Sequence, residues 1–408
     1  MAVYIIDEMM GRGKTSAAIN YVNRSDPDKK FLFIVPYLTE CDRIVAACAG
    51  REFKQPLKEG GKLNNIKTLF RDRRNIVATH VLFQMLDQEA LDLIQEQHYT
   101  LIMDEVADVA SQIKITQYDM NNILDKYGHV GEDKRLFWDG PYTGVLDKYR
   151  EIIESGRAFA YSDNYWIHFC PVELFLAFDD IYVMTYMFED QMHRCYFDLN
   201  GITYERIYVG GSSPETYCFS DKPHSPEPVD YRNLIRIEQN EKLNRIGDEY
   251  HDLSKRWYRR NTGTHSMVLL KNNTLNFFRN YAKTPAGLNL WTTFGEDDVT
   301  NVDWFKILSG GGYARSGLAC VAKGTNDYRD RTSLAYLVNR FPQTNIYNFL
   351  TTAGIELNRD RFALSEMIQW IWRSAIRDGR EIYIYIPSRR MRTLLEGWLN
   401  RLAEGGDQ

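Results

Sequence analysis

The chain has 408 residues, 44% of them apolar and 13% aromatic, which is enough for a real core in two or three domains and excludes a disordered chain. Fifty basic residues against 55 acidic give a net charge of −5, so there is no global basic field, and any polyanion would have to be held in a local groove. No apolar run is long enough for a membrane span and no charged-then-apolar leader precedes the first strand; with six scattered cysteines (Cys41, Cys48, Cys170, Cys195, Cys218, Cys320) this predicts a cytoplasmic protein with reduced thiols.

Taken in chain order, Val3, Tyr4, Ile5 and Ile6 form a short apolar run ending at Asp7, as in a strand buried on both faces of a parallel sheet. Directly after it stands Glu8-Met9-Met10-Gly11-Arg12-Gly13-Lys14-Thr15-Ser16, then helical spacing through Val22. Binding a triphosphate requires glycines that let backbone N–H groups turn inward, and a helix N-terminus aimed at the anion. It also requires an ammonium for the β- and γ-phosphates and a hydroxyl for Mg²⁺. Gly11, Arg12, Gly13, Lys14, Thr15 and Ser16 supply this set, which predicts an ATP site with Thr15 on the metal. A chance Gly-Lys-Thr is the alternative, and the strand, turn and helix in the right order argue against it.

Further apolar runs at Phe31–Val35, Ile76–Val77, Leu101–Met103 and Ile181–Met184, with helical spacing at Val81–Gln95 between them, predict an alternating α/β lobe over residues 1–205. The third run ends in Asp104-Glu105. An ATPase needs one carboxylate beside Mg²⁺ and another to orient water, so Asp104 is expected on the metal and Glu105 on the water. Residues 108–180 are too long for a connection and are expected to form a mostly helical inserted subdomain. Within them and just beyond, His168-x-Cys170 and His193-x-Cys195 could place four zinc ligands on strands, although half-buried strand residues are the better reading. Arg71, Arg73 and Arg74 could grip phosphates or decorate a loop.

Gly- and Pro-bearing stretches predict a linker over 206–235, and a second α/β lobe over 236–408. Its expected strands are Met267–Leu270, Leu288–Trp291, Leu318–Val321, Leu334–Val338 and Ile382–Ile386. Lys255-Arg256-Trp257-Tyr258-Arg259-Arg260 mixes cations with aromatics as a single-strand contact surface would, and a solvated helix face explains it almost as well.

Gly11–Thr15 and Asp104-Glu105 resemble the motifs of superfamily-2 helicases, most closely the helicase-like ATPases encoded by bacteriophages. The resemblance runs from residue 2 to about residue 400, outside the insert and the linker. By it, Val35-Pro36-Tyr37 and Ala78-Thr79-His80 are expected to meet nucleic acid through Pro36, Tyr37, Thr79 and His80. Thr185 would couple hydrolysis to lobe closure. Ala322–Asp327 resembles the family's fifth motif, which implies nucleic-acid contacts from Thr325 and Asn326. Ser365–Arg377 resembles the sixth: Gln369 would meet the nucleotide, and Arg373 or Arg377 would brace the transferring phosphoryl group. Their spacing of i, i+4 and i+8 predicts one shared helix face.

The resemblance implies two RecA-like parallel-sheet lobes with ATP and Mg²⁺ between them. It also implies movement along single-stranded or branched DNA, in phage replication or recombination within the host bacterial cytoplasm. The insert would be a wedge or would dock a replication protein. A terminase-type packaging ATPase and a non-translocating P-loop NTPase are the rivals. The first would need clustered nuclease carboxylates in the second lobe, and the second would ignore nucleic acid.

Overall fold

The computed structural model describes residues 1–404 except 133, 142, 143, 163, 164, 224–228, 298, 312 and 322–326. The strands in chain order are β1 (Ala2–Asp7), β2 (Lys30–Val35), β3 (Ile76–Thr79), β4 (Tyr99–Asp104), β5 (Ala110–Lys114), β6 (Gly128–Val130), β7 (Leu136–Trp138) and β8 (Ala158–Ser162). They continue with β9 (Tyr165–Phe169), β10 (Asp180–Thr185), β11 (Glu205–Gly210), β12 (Cys218–Ser220), β13 (Ile235–Ile237), β14 (Asn289–Thr292), β15 (Ser333–Tyr336) and β16 (Ile382–Tyr385). The helices are α1 (Lys14–Arg24), α2 (Leu38–Ala47), α3 (Lys62–Arg71), α4 (His80–Gln84), α5 (Gln88–Glu96), α6 (Gln117–Lys126), α7 (Asp147–Glu154) and α8 (Glu173–Leu176). After them come α9 (Met192–Leu199), α10 (Glu241–Asn244), α11 (Lys255–Asn261), α12 (His265–Asn276), α13 (Trp304–Leu308), α14 (Thr344–Thr352), α15 (Arg359–Ile371) and α16 (Arg389–Ala403).

The chain forms two compact α/β units. The first comprises Met1–Asp7, Lys14–Lys222 and Pro342–Leu357; the second comprises Glu8–Gly13, Pro223–Phe341 and Asn358–Gln408. The main sheet of the first unit has the order β12-β11-β1-β10-β4-β2-β3, parallel throughout except for the β11–β12 pair. Its central strands are apolar on both faces because helices cover both, and Phe31 through Val35 are all fully buried. Ile6, Ala17, Val22, Phe33, Ile102 and Met184 join one core cluster. Small residues at Ala17 and Ala18 let α1 sit close against the sheet. The second unit holds a parallel sheet, β13-β16-β15-β14. Two α/β units with parallel sheets are the predicted fold class.

Several local expectations are corrected. The insert is mixed rather than mostly helical: β5, β9 and β8 form an antiparallel sheet and β6 and β7 a hairpin, with α6 and α7 packed beside them. Met120, Ile123, Leu136, Tyr149, Ile153 and Trp166 give it a core of its own. Aromatic and apolar residues such as those of Tyr165–Phe169 suit a pleated, half-buried surface, which outweighs the weak helical spacing around them.

The expected linker at 206–235 opens instead with β11 and β12, which complete the main sheet; the first unit then runs on to Lys222. Residues 342–357, expected in the second lobe, belong to the first unit. There α14 packs on the insert, with Phe349 against Phe159 and Phe169 (ring centroids 5.3 Å each) and Asn345 Nδ2 donating to Gln112 Oε1 at 3.1 Å. Met267–Leu270 lies in α12 rather than in a strand, and Leu318–Val321 forms no strand. A four-residue apolar run fits either element, and only packing decides.

Candidate nucleotide site

The carboxyl ends of the first unit's strands lie in register. Asp7 pairs with Thr185, Met184 with Asp104, and Val35 with Thr79, so the residues singled out after separate strands come to one sheet edge. Open parallel sheets bind ligands outside this edge. Between β1 and α1 the chain turns through Gly11 (φ +83°) and Gly13 (φ +82°), a backbone that L side chains rarely adopt. Lys14 opens α1 and is buried, while Arg12, Thr15 and Ser16 are half-buried.

Thr15 Oγ1 donates to Asp104 Oδ2 at 3.0 Å, which joins the start of α1 to the end of β4. Burial raises the Asp104 carboxyl to about 6. The Glu105 charge adds to the shift, and Arg43, Thr15 and Lys14 oppose it. Glu105 adopts φ +63° and donates its N–H to the Met184 carbonyl at 2.9 Å. A non-glycine residue held there costs about 1 kcal/mol or more, and such strain clusters at functional sites. The hydroxyl of Thr15 and the carboxylate of Asp104 are hard oxygen donors of the kind Mg²⁺ takes, and a bound cation would relieve the half-buried, like-charged Asp104–Glu105 pair. The donor set therefore fits Mg²⁺.

Two neighbours escaped the sequence reading. Arg43 on α2 lies 2.7 Å from Glu40 and 4.0 Å from the Asp104 carboxylate. Asp7 accepts the N–H groups of Met187 (2.7 Å) and Phe188 (3.0 Å), which ties the end of β1 to the loop after β10. Burial raises the Asp7 carboxyl despite those hydrogen bonds. The i, i+3 spacing of Glu40 and Arg43 marks a pair in the sequence, but nothing there says that it faces Asp104.

The remaining candidates are distributed as follows. Tyr37 is exposed, Pro36 and Thr79 are half-buried, and the ring of His80 turns inward, with Nε2 3.1 Å from the Asp104 carbonyl oxygen. Thr185 is fully buried and exchanges hydrogen bonds with Gln191 (3.1 and 2.9 Å). Thr325 and Asn326 lie outside the described residues.

The single helix face expected for Gln369, Arg373 and Arg377 is not formed. Helix α15 ends at Ile371, Arg373 sits in the following turn, and Arg377 lies in a separate 3₁₀ turn, Ala375–Asp378. Trp370 and Trp372 are both buried, on nearly opposite sides as two residues at the end of one helix must be; the Trp372 N–H still bonds the Ile368 carbonyl at 3.0 Å. Trp372 packs on Trp398 (5.5 Å) and Tyr231 (5.1 Å), and beyond the helix the Ala375 N–H bonds to the Arg331 carbonyl. Gln369 and Arg373 are buried, at 8% and 3% exposure.

His193 and Cys195 lie on α9 rather than on a strand, and no cluster of three or more metal-ligating side chains occurs among the described residues. Arg71 pairs with Glu89, and Arg74 lies 3.9 Å from Glu52.

Fold and site thus define a protein of two α/β units, the first of which sets the start of α1 beside an acidic strand end at one sheet edge. Residues 229–399 match the model of the YonV C-terminal Rossmann-like domain. The SPbeta prophage-derived uncharacterized protein YonV of Bacillus subtilis (strain 168) is 36% identical over 414 residues, spanning 97% of this chain and 98% of that protein. The chain belongs to the YonV family. Its fold also resembles that of S. tokodaii Xpd4, with a TM-score of 0.50 and 10% identity over 97% of this chain and 94% of the other. No helix among the described residues is long and apolar enough to cross a membrane.

Proposed function

We propose that this chain is a prophage-type ATPase of the helicase class, which couples ATP hydrolysis to movement along or unwinding of single-stranded or branched DNA in phage replication or recombination. The observation that carries the reading is the hydrogen bond from Thr15 to Asp104, which joins the start of α1 to an acidic strand end, the pairing that ATPase chemistry requires. The likeness to Xpd4 over nearly the whole chain agrees with a helicase-like fold, and the prophage relative agrees with a phage setting.

In this reading the N–H groups of Gly11–Thr15 and the Lys14 ammonium hold the phosphates, and Arg12, Ser16 and Gln369 line the nucleotide. Thr15 and Asp104 would hold Mg²⁺, which supplies charge neutralisation on the phosphate oxygens when bound. Glu105 orients the attacking water and accepts its proton. Arg377 or Arg373 provides the cation for charge that develops on the γ-phosphoryl group. Thr185, held by Gln191, couples that edge to the loop which Asp7 anchors. Pro36, Tyr37, Thr79, Thr325 and Asn326 are the family-matched contacts to nucleic acid, whereas His80 acts through the Asp104 backbone. The insert is the candidate surface for a replication-protein partner.

The test is ATP hydrolysis by the full chain with and without single-stranded DNA. Turnover that DNA stimulates is expected. Turnover indifferent to any nucleic acid would leave a non-translocating NTPase, and absence of turnover would remove the ATPase reading.

A further inference from the structure

Helix α11, Lys-Arg-Trp-Tyr-Arg-Arg-Asn, crowds four cations into seven residues; Arg259 and Arg260 in its last turn suit the helix dipole, and the other two do not. Lys255 and Arg256 stand in its first turn, where the helix dipole disfavours cations, and no acid lies within it. Lys255 with Arg259, and Arg256 with Arg260, set like charges at i, i+4, each pair destabilising by roughly 0.2–0.5 kcal/mol. Where such a rule is broken without a compensating contact, a functional role is the expectation, and here that applies to Arg256 and Arg260 only.

One of these pairs is tied down from below. Asp297 is fully buried and accepts Arg259 through Nε (3.0 Å) and Nη2 (2.8 Å), with Lys255 Nζ at 3.5 Å. Burial pushes the Asp297 carboxyl upward, and the hydrogen bonds from Arg259 and Thr300 outweigh it and hold the group well below the usual carboxylate range. Two cations thus share one carboxylate, and the exposed Arg256 and Arg260 stand beside them.

The helix lies at the carboxyl edge of the second unit's sheet. Tyr258 donates to the carbonyl of Leu337, just beyond β15, at 2.6 Å, and Asp297 belongs to the loop after β14. Asn339, also beyond β15, bonds the Leu253 carbonyl through its N–H and the Tyr250 and Asp252 carbonyls through its side chain. That arrangement brings Tyr250, 51% exposed, to the start of the helix, with its ring 4.9 Å from His251 and 5.8 Å from Phe341. Asp252, the acid nearest α11 in sequence, accepts the Glu249 N–H at 3.0 Å within its own turn, and Asp248 and Glu249, which precede Tyr250, are exposed.

We propose that α11 and Tyr250 form a contact surface for single-stranded nucleic acid, with Arg256 and Arg260 on consecutive phosphates and Tyr250 stacked beneath a base. The proposal rests on the nucleic-acid reading above and deepens it. Cations on a rigid sheet edge beside an exposed aromatic are the components of sequence-tolerant single-strand binding.

The experiment is binding of a fluorescein-labelled oligothymidylate to the full chain across a salt series, for wild type, Arg256→Gln/Arg260→Gln, Tyr250→Ala and Tyr250→Phe. The double variant should bind more weakly and lose about 1.4 from the log–log salt slope, roughly 0.7 for each phosphate contact. Its melting temperature should hold or rise, because the repulsion within α11 is removed. Tyr250→Ala should weaken binding about 5- to 150-fold, the range for losing one stacked base, and Tyr250→Phe should restore it. Unchanged affinity and slope in the double variant, while the wild type binds, would overturn this surface alone. A wild type without affinity would overturn it together with the reading on which it rests. Equal affinity for a labelled duplex would overturn the single-strand assignment.

Discussion

Replacing Asp104 by Asn tests the site without invoking turnover. Burial raises this carboxyl from 3.8 to about 6, with the Glu105 charge adding to the shift. A folded-state value above the unfolded one means that the native state binds the proton more tightly. The stability this contributes is complete below the unfolded value of about 4, is lost as pH rises toward 6, and stays lost above it. The shift corresponds to about 3 kcal/mol against folding at neutral pH. Asn keeps the shape and an oxygen to accept from Thr15, and removes the charge. The side chain keeps 15% exposure and the amide has its own burial cost, so the expected gain is about 1–2 kcal/mol, or about 3–6 °C in melting temperature. Calorimetric melts of both proteins should coincide near pH 4 and diverge up to about pH 7. Added Mg²⁺ should raise the wild-type melting temperature by mass action and leave the variant unmoved. An Asn variant less stable than wild type at neutral pH, or a difference that ignores pH, would refute the claim that this carboxylate is held ready for a cation.

Lys14→Ala should reduce ATP turnover by about 10²–10³ or more in a folded protein, and wild-type turnover would remove the phosphate-loop assignment. Glu105→Gln should bind ATP and hydrolyse it slowly; loss of nucleotide binding instead would make Glu105 a metal-side residue. Glu105→Gly should melt higher, by the equivalent of about 1 kcal/mol, as the positive φ is relaxed, and a lower melting temperature would show that the carboxylate stabilises the turn. Arg377→Ala should spare nucleotide affinity and cut stimulated turnover by about 10³; Arg373→Ala, in a buried turn, should also lower the melting temperature. If each variant keeps full stimulated turnover, neither arginine is the catalytic cation.

What the sequence by itself determined is what depends on neighbours along the chain. The glycine turn before Lys14-Thr15 is legible because positive φ and a helix start are properties of a few adjacent residues. The place of Asp104-Glu105 at a strand end is legible because the apolar run before them can only be buried. The alternating α/β pattern carries the fold class for the same reason.

Tertiary structure decided whatever depends on a distant partner. The polar stretch after Tyr204 became two strands because β1 left an edge to pair. Segment 342–357 went to the first unit because Phe349 found Phe159 and Phe169. The helix bearing Gln369 ends before Arg373, and the Ala375 N–H after it goes to the distant Arg331 carbonyl. Arg43 reached Asp104, and His80 its carbonyl, only through the order in which parallel strands assembled. Backbone preferences act over a few residues, whereas the burial of large side chains and the pairing of strand edges are settled across the whole sheet; the candidate residues were visible in the sequence, and their supporting contacts were not.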